Sequence, residues 1–257
     1  MVESRSALAV VLLVVAAAGS AAAQELPPPE QYHLRGEYLY WWPKLGAEVS
    51  KGESGTVNDV SSDLGVADDS TFELRGTLRA GASHKLSGTY TKLDYAGDLT
   101  SHPTVRYGSQ TFFPGSRLVT SMKGGYYGGQ YEWDFVKGQQ GFVGAVLGAR
   151  LLDLDVVLVD PGAARREQDS VRIWRPLLGV SARGYVGRRL SLAGTLAGMS
   201  VGSRGYALEF EATAQIHLFE RIGLKGGFRS FKVKEETGSR LIDWRDNGGM
   251  LGVELSL

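Results

Sequence analysis

The chain of 257 residues carries 28 basic and 28 acidic side chains, so its net charge is zero and gives no reason to expect nucleic acid or a strongly anionic partner. It has no cysteine, which excludes a disulfide scaffold and thiol chemistry.

At the N-terminus, Arg5 precedes the apolar run ALAVVLLVVAAAG (Ala7–Gly19), and Ala21-Ala22-Ala23 before Gln24 supplies small residues of the kind signal peptidase accepts. The run is shorter than the roughly 20 residues a spanning helix needs. Residues 1–23 therefore read as a signal peptide, 24–31 as an extended periplasmic lead-in set by LPPPE (Leu26–Glu30), and 32–257 as the folded domain.

Ten segments with a two-residue period follow, near 33–48, 70–81, 85–96, 117–135, 141–156, 171–186, 189–203, 206–219, 221–234 and 244–257. Most exceed the usual soluble strand and match the 9–11 residues a tilted strand needs to cross a bilayer. Short connections at 81–85, 136–141, 187–189 and 219–221 alternate with long ones near 49–69, 97–116, 157–170 and 235–243; the brief 203–206 is the exception. Short turns on one side and long loops on the other are the plan of bacterial outer-membrane barrels.

Which face meets which solvent is read from the rows. In ALEFEATAQIHLF (207–219), Leu208, Phe210, Ala212, Ala214, Ile216 and Leu218 alternate with Glu209, Glu211, Thr213, Gln215 and His217. A soluble barrel would place the apolar row inside. Against that, the less apolar row of 190–201 is small (Ser191, Ala193, Thr195, Ala197), which suits a crowded interior. Aromatic residues also gather near strand ends: Tyr38, Tyr40, Trp41, Trp42, Tyr126, Tyr127, Tyr131, Trp133, Phe135, Trp174 and Trp244. Tyr and Trp at such positions suit the two membrane–water interfaces. The expected fold is an all-β, antiparallel, up-and-down transmembrane β-barrel of about ten strands in the cell outer membrane.

Basic groups facing lipid would cost about 2–4 kcal/mol each at the midplane. Charges on the polar rows are therefore expected in the lumen: Arg35, Glu37, Glu73, Arg75, Arg79, Arg150, Arg183, Glu209, Glu211, Lys225, Arg229 and Glu254. About ten strands enclose little more than side chains can fill, which favours a filled lumen over an open pore.

With its signal peptide, its amphipathic strands and the apolar row Leu251, Val253, Leu255, Leu257 in the last of them, the chain resembles small outer-membrane β-barrel proteins of Gram-negative bacteria over about residues 32–257. DVSSDLG (Asp59–Gly65) and RPLLG (Arg175–Gly179) look like segments of such barrels and carry no activity with them. The resemblance implies outer-membrane lipid and lipopolysaccharide as surroundings and the barrel assembly machinery as a partner during biogenesis. Such chains usually end in an aromatic residue; this one ends in Leu257.

Ten-stranded barrels include omptin-type proteases, which combine acidic residues and a histidine at the outer rim. Here His102, near Asp94 and Asp98, is the one histidine in a long loop, and a solvated loop histidine is the simpler reading. The His-x-Ser pair of small-barrel lipid A deacylases does not occur. The acidic loop 58–70 (Asp59, Asp63, Asp68, Asp69) matches no calcium-loop spacing, whereas Val60 and Leu64, four apart, suit one face of a short helix folded over the barrel mouth. The glycine-rich KGGYYGGQ (123–130) lacks the ending of a phosphate loop. No cofactor or metal is expected. The favoured function is a non-enzymatic structural or surface-interaction role, with a narrow passive channel as the alternative and a rim-located hydrolase as a weaker one.

Overall fold

The computed structural model describes residues 30–257 apart from 53–55, 101, 188, 203–204, 220 and 239; the expected signal peptide lies outside the described residues. Among the described residues there are thirteen strands: β1 Leu34–Lys51, β2 Asn58–Asp59, β3 Thr71–Ala80, β4 His84–Leu99, β5 Val105–Tyr107, β6 Gln110–Phe112, β7 Leu118–Gly138, β8 Gly141–Asp160, β9 Arg165–Val186, β10 Leu190–Ser200, β11 Gly205–His217, β12 Ile222–Thr237 and β13 Arg240–Ser256. Ten of them (β1, β3, β4 and β7 to β13) form one antiparallel sheet, and pairing from Arg35↔Ser256 to Lys51↔Arg240 joins β1 to β13 and closes it. Both described ends meet at the tight-turn side, where the His33 amide donates to the Leu257 carbonyl at 2.8 Å.

Closure fixes which residues point inward, and that parity holds along each strand while the chemistry of the rows inverts. On β1 the inward row begins with Arg35 and Glu37 and continues with Leu39, Trp41, Leu45, Ala47 and Val49, all buried. The outward row begins with Leu34, Tyr38, Tyr40 and Trp42 and continues with Lys44 and Glu48. On β8, Arg150 is followed inward by Leu152, Leu154, Val156 and Leu158, while Leu147 is followed outward by Asp153 and Asp155. The inner zone, near the termini, is apolar outside and ionic inside. Its outer face is the belt that lipid covers. The outer zone is polar outside and apolar inside, as a strand standing in water must be.

The outer zone accounts for two departures from the sequence reading. The segments 157–170 and 235–243 are mostly strand, 157–160 with 165–170 and 235–237 with 240–243, rather than long loop. The β8–β9 ladder continues to Asp160↔Arg165 and the β12–β13 ladder to Thr237↔Arg240. Three aromatics expected in the girdles, Trp41, Tyr126 and Trp244, instead point inward and are buried. Their neighbours Trp42 and Tyr127, one residue along, are exposed on the outside with Tyr38, Tyr40, Tyr131, Trp133, Phe135 and Trp174.

Two connections fill the outer end. β3 starts only at Thr71, and the space above it between β1 and β4 is taken by residues 58–70. β2 pairs with β1 at Glu48↔Asp59, and Val66 bridges Gly97. At Gly97 a side chain would run into the Leu64 carbonyl at 2.5 Å, so this close approach needs glycine. Val60, Leu64 and Val66 are buried in the apolar core. The turn that carries them is not the helix expected: the Asp63 amide bonds the Asp59 carbonyl, while Asp59 Oδ1 accepts from the amides of Ser61 and Ser62. The β5–β6 hairpin brings Val105, Tyr107 and Phe112 into the same core.

Candidate functional site

All twelve charges expected in the lumen lie on inward rows of the inner zone, and the structure joins them with four more, Glu30, Lys85, Glu132 and Asp134, into two clusters. In the deeper cluster Arg75 bonds Glu211 at 2.8 Å and Glu73 at 2.8 Å, and Arg229 bonds Glu211 at 2.7 Å and also pairs with Glu73. Lys225 meets Glu37 at 2.8 Å, and Arg150 holds Glu209 at 2.9 Å. Bases from β3, β8 and β12 thus meet acids from β1, β3 and β11. Four bases face four acids, which is what lets ions leave water without a net uncompensated charge.

The second cluster sits at the mouth near the termini. Arg35 pairs with Glu254 at 3.1 Å, Lys85 with Glu132 at 2.8 Å and Asp134 at 3.1 Å, and Arg79 with Asp134 at 3.5 Å. Glu30 reaches in from the lead-in. Its carboxylate bonds Arg79, takes Arg183 Nη1 at 3.0 Å and the Tyr185 hydroxyl at 2.5 Å, and lies 3.7 Å from Arg35 and 4.0 Å from Lys85. Tyr32, two residues on, is buried with the Arg35 guanidinium 3.8 Å from its ring centre. Lys85 shares a row with Ser87, Thr89 and Thr91, and Glu132 and Asp134 share one with Gln130, so extending the two-residue period finds them. Nothing local marks Glu30.

Between the clusters is a cavity of about 90 Å³ lined by Tyr32, Arg35, Thr77, Thr195, Thr213 and Lys225 among others, room for a handful of waters. Above it the apolar outer zone begins with Leu39, Trp41, Tyr126 and Phe231.

The rim candidates do not converge. His102 is buried, with Nδ1 2.6 Å from the Pro103 carbonyl and Nε2 3.2 Å from that of Ser116. Asp94 and Asp98 face outward on β4 and pair with Lys92 at 2.9 Å and Arg117 at 2.5 Å. In the acidic loop, Asp59 accepts from backbone as above, Asp63 from the Asp59 amide, Asp68 from the Leu45 amide and Asp69 from the Ser70 amide. Their oxygens hold the loop's own backbone and, at Leu45, a β1 amide beyond the end of β3. Of the remaining histidines, His84 faces out beside Tyr131, and His217 faces in, bonded to Ser191.

A closed ladder of ten strands, a lipid-facing belt and an ion-filled interior leave one architecture. The fold is that of an outer-membrane β-barrel. The outer-membrane protease OmpT of Escherichia coli superposes with a TM-score of 0.56 at 6% identity, over 93% of this chain and 100% of that one. The attachment invasion locus protein Ail of Yersinia pestis has a TM-score of 0.36 at 8% identity, over 88% and 100%. Neisserial surface protein A has a TM-score of 0.31 at 12% identity, over 87% and 97%. At 6% identity the likeness to the protease shows the fold alone. No family model and no curated protein matches the chain. The protein is an integral outer-membrane β-barrel.

Proposed function

We propose that this barrel is a sealed, non-enzymatic membrane protein whose outer zone serves as a rigid platform at the cell surface, in an outer leaflet of lipid and lipopolysaccharide. The observation that carries the reading is the packed apolar core of the outer zone. Strand residues Leu118, Met122, Leu158 and Ile242 close around Val60, Leu64, Val105 and Phe112 from the two connections. A pore for ions or polar solutes needs a continuous wet path, and a dry core of this kind interrupts it whatever the lumen below contains. The separation of His102 from Asp94 and Asp98 supports a non-enzymatic role.

The test is conductance. Purified protein in a planar bilayer is expected to be silent, and it stays silent when Glu209 and Glu211 are both replaced by alanine, because the seal lies above them. Loosening the outer core with Tyr107→Ala and Phe112→Ala is expected to open intermittent conductance. Steady porin-like current through the unaltered protein overturns the reading in favour of the narrow channel.

A further inference from the structure

We infer that the barrel mouth near the termini is a carboxylate-binding site that the chain fills with its own Glu30, and that a blind pocket for small carboxylates lies behind it, reached from the periplasm alone.

Glu30 is the one acid of the mouth cluster that does not stand on a barrel strand. The ladder sets the positions of Glu132, Asp134 and Glu254, whereas Glu30 precedes β1 and is held by side-chain contacts. Next to the ladder stands His33, whose amide donates to Leu257 and whose carbonyl accepts from Arg79. Residues 30–32 precede the strand, so displacing the Glu30 side chain breaks no strand pair.

The charges make the same point. The deeper cluster is balanced, four bases to four acids, by strand residues alone. Within the described mouth cluster the strands supply four bases, Arg35, Arg79, Lys85 and Arg183, against three acids, so its strand residues alone are one negative charge short. Glu30 supplies it. For Arg183 it is the acid in reach, at 3.0 Å. The site also has donors to spare, since the Nε atoms of Arg79 and Arg183 are buried without a hydrogen-bond partner. Two guanidinium groups and a tyrosine hydroxyl converging on two oxygens are the chemistry that holds a carboxylate. The 90 Å³ cavity is lined by Tyr32, by Arg35, Lys85 and Arg183 of the mouth, and by Arg150, Glu209 and Glu211 of the deeper cluster, whose carboxylates are already ion-paired; the apolar outer zone begins above that cluster. The pocket therefore has its entrance at the mouth and a closed end toward the outer zone.

The experiment is chemical rescue of the full mature chain in lipid. Glu30→Gly is expected to lower the unfolding temperature. Formate or acetate then restores at least half of the loss saturably, while chloride at equal ionic strength does not, and the unaltered protein responds to neither because its site is filled. Should Glu30→Gly fail to refold, refolding yield becomes the readout: recovery with formate but not chloride supports the site, and no recovery overturns it. Glu30→Gln, which keeps the volume and loses the charge, provides a folded variant for the same titration. Equal effects of formate and chloride on that variant overturn the assignment. Conductance separates this inference from the sealed-barrel reading: rescue with bilayer silence supports the blind pocket, while current through Glu30→Gly overturns its closed end.

Discussion

The two zones of this barrel share strands, register and parity, yet their interiors are held by opposite means. Arg150 and Leu152 are two residues apart on the same inward row of β8; one is ion-paired with Glu209 and the other packs in the apolar core. What changes between them is the solvent on the far side of the wall. Where lipid covers the outside, polar residues are confined to the lumen and must satisfy one another there. Where water covers the outside, the hydrophobic effect recovers its usual direction and the lumen becomes an ordinary core. The inner zone should therefore fail through unpaired charge, and the outer zone through lost volume.

The largest expected effect breaks an ion pair on one side only. Glu209→Ala leaves Arg150 facing the Gln130 side chain and the Ala149 carbonyl in place of its carboxylate. A buried charge left without its partner costs about 3–5 kcal/mol. The double variant Glu209→Ala with Arg150→Ala removes the stranded charge and is expected to recover part of that loss. Equilibrium unfolding of both variants in lipid vesicles gives the comparison. A double variant as unstable as the sum of the singles would show that the pair matters for packing and not for charge.

In the outer zone the matching experiment is Leu158→Ala, in a core with no charge to strand. Truncation of a fully buried leucine costs about 2–5 kcal/mol through lost transfer energy and the cavity left behind. The distinguishing feature is salt. Stability of Leu158→Ala relative to the parent should not change with ionic strength, whereas that of Glu209→Ala should.

The wall offers a third contrast, with the same substitution in each zone. Ala212→Arg places a charge midway along the lipid-facing row of β11 and is expected to cost about 2–4 kcal/mol. Val157→Arg stands on the outward row of β8 above Asp155, where water is the solvent, and should fold as the parent does. Equal damage from both would move the membrane boundary outward and erase the distinction between the zones.

Much of this was legible in the sequence, because parity is a strictly local property. The alternation of β11 alone gives both its faces, and the twelve lumen charges follow from rows of the same kind. The outer zone was misread because the chemistry of the rows was taken to be constant along a strand. The strand expected near 141–156 already holds Asp153 and Asp155 on its outward side; its continuation VVLV (156–159) is apolar on both faces and runs into Pro161 and Gly162, so no two-residue period marks it. Trp41, Tyr126 and Trp244 were placed by their nearness to strand ends; counting parity from Tyr38, Tyr127 and Leu251 puts all three inside. Glu30 had no such signal. Its position depends on four bases drawn together from β1, β3, β4 and β9, a meeting that no local pattern announces.

Acid should act on the mouth later than on ordinary carboxylates. Burial works against ionising Glu30, but Arg35, Lys85, Arg183 and Arg79 together outweigh it and hold the carboxyl far below the usual range. With the folded value depressed, the contribution of Glu30 is fully present above the unfolded value near about 4.3 and is lost progressively from there as pH falls toward the folded one. The stability difference between the parent and Glu30→Gln should therefore be flat from neutral pH to about 5, shrink steadily below about 4.3, and vanish only in strong acid. A difference already gone by pH 5, followed by thermal unfolding, would mean that the bases do not hold the carboxylate as the geometry indicates.

The smallest effect belongs to a pair that resembles the lumen contacts in geometry alone. Arg117 grips Asp98 through two nitrogens, Nε to Oδ1 at 2.9 Å and Nη2 to Oδ2 at 2.5 Å, a fork like that of Arg150 on Glu209. Both partners stand on the water-facing side of the outer zone and are at least half exposed. There the ions keep most of their hydration when apart, salt screens them, and holding two long side chains together costs conformational entropy. Arg117→Ala is therefore expected to leave the unfolding midpoint unchanged within error at physiological salt, and Asp98→Ala likewise. Were either to destabilise the barrel as Glu209→Ala does, the outer wall would have to be dry, and the division of this molecule into a lipid-clad and a water-clad zone would fail at its clearest point.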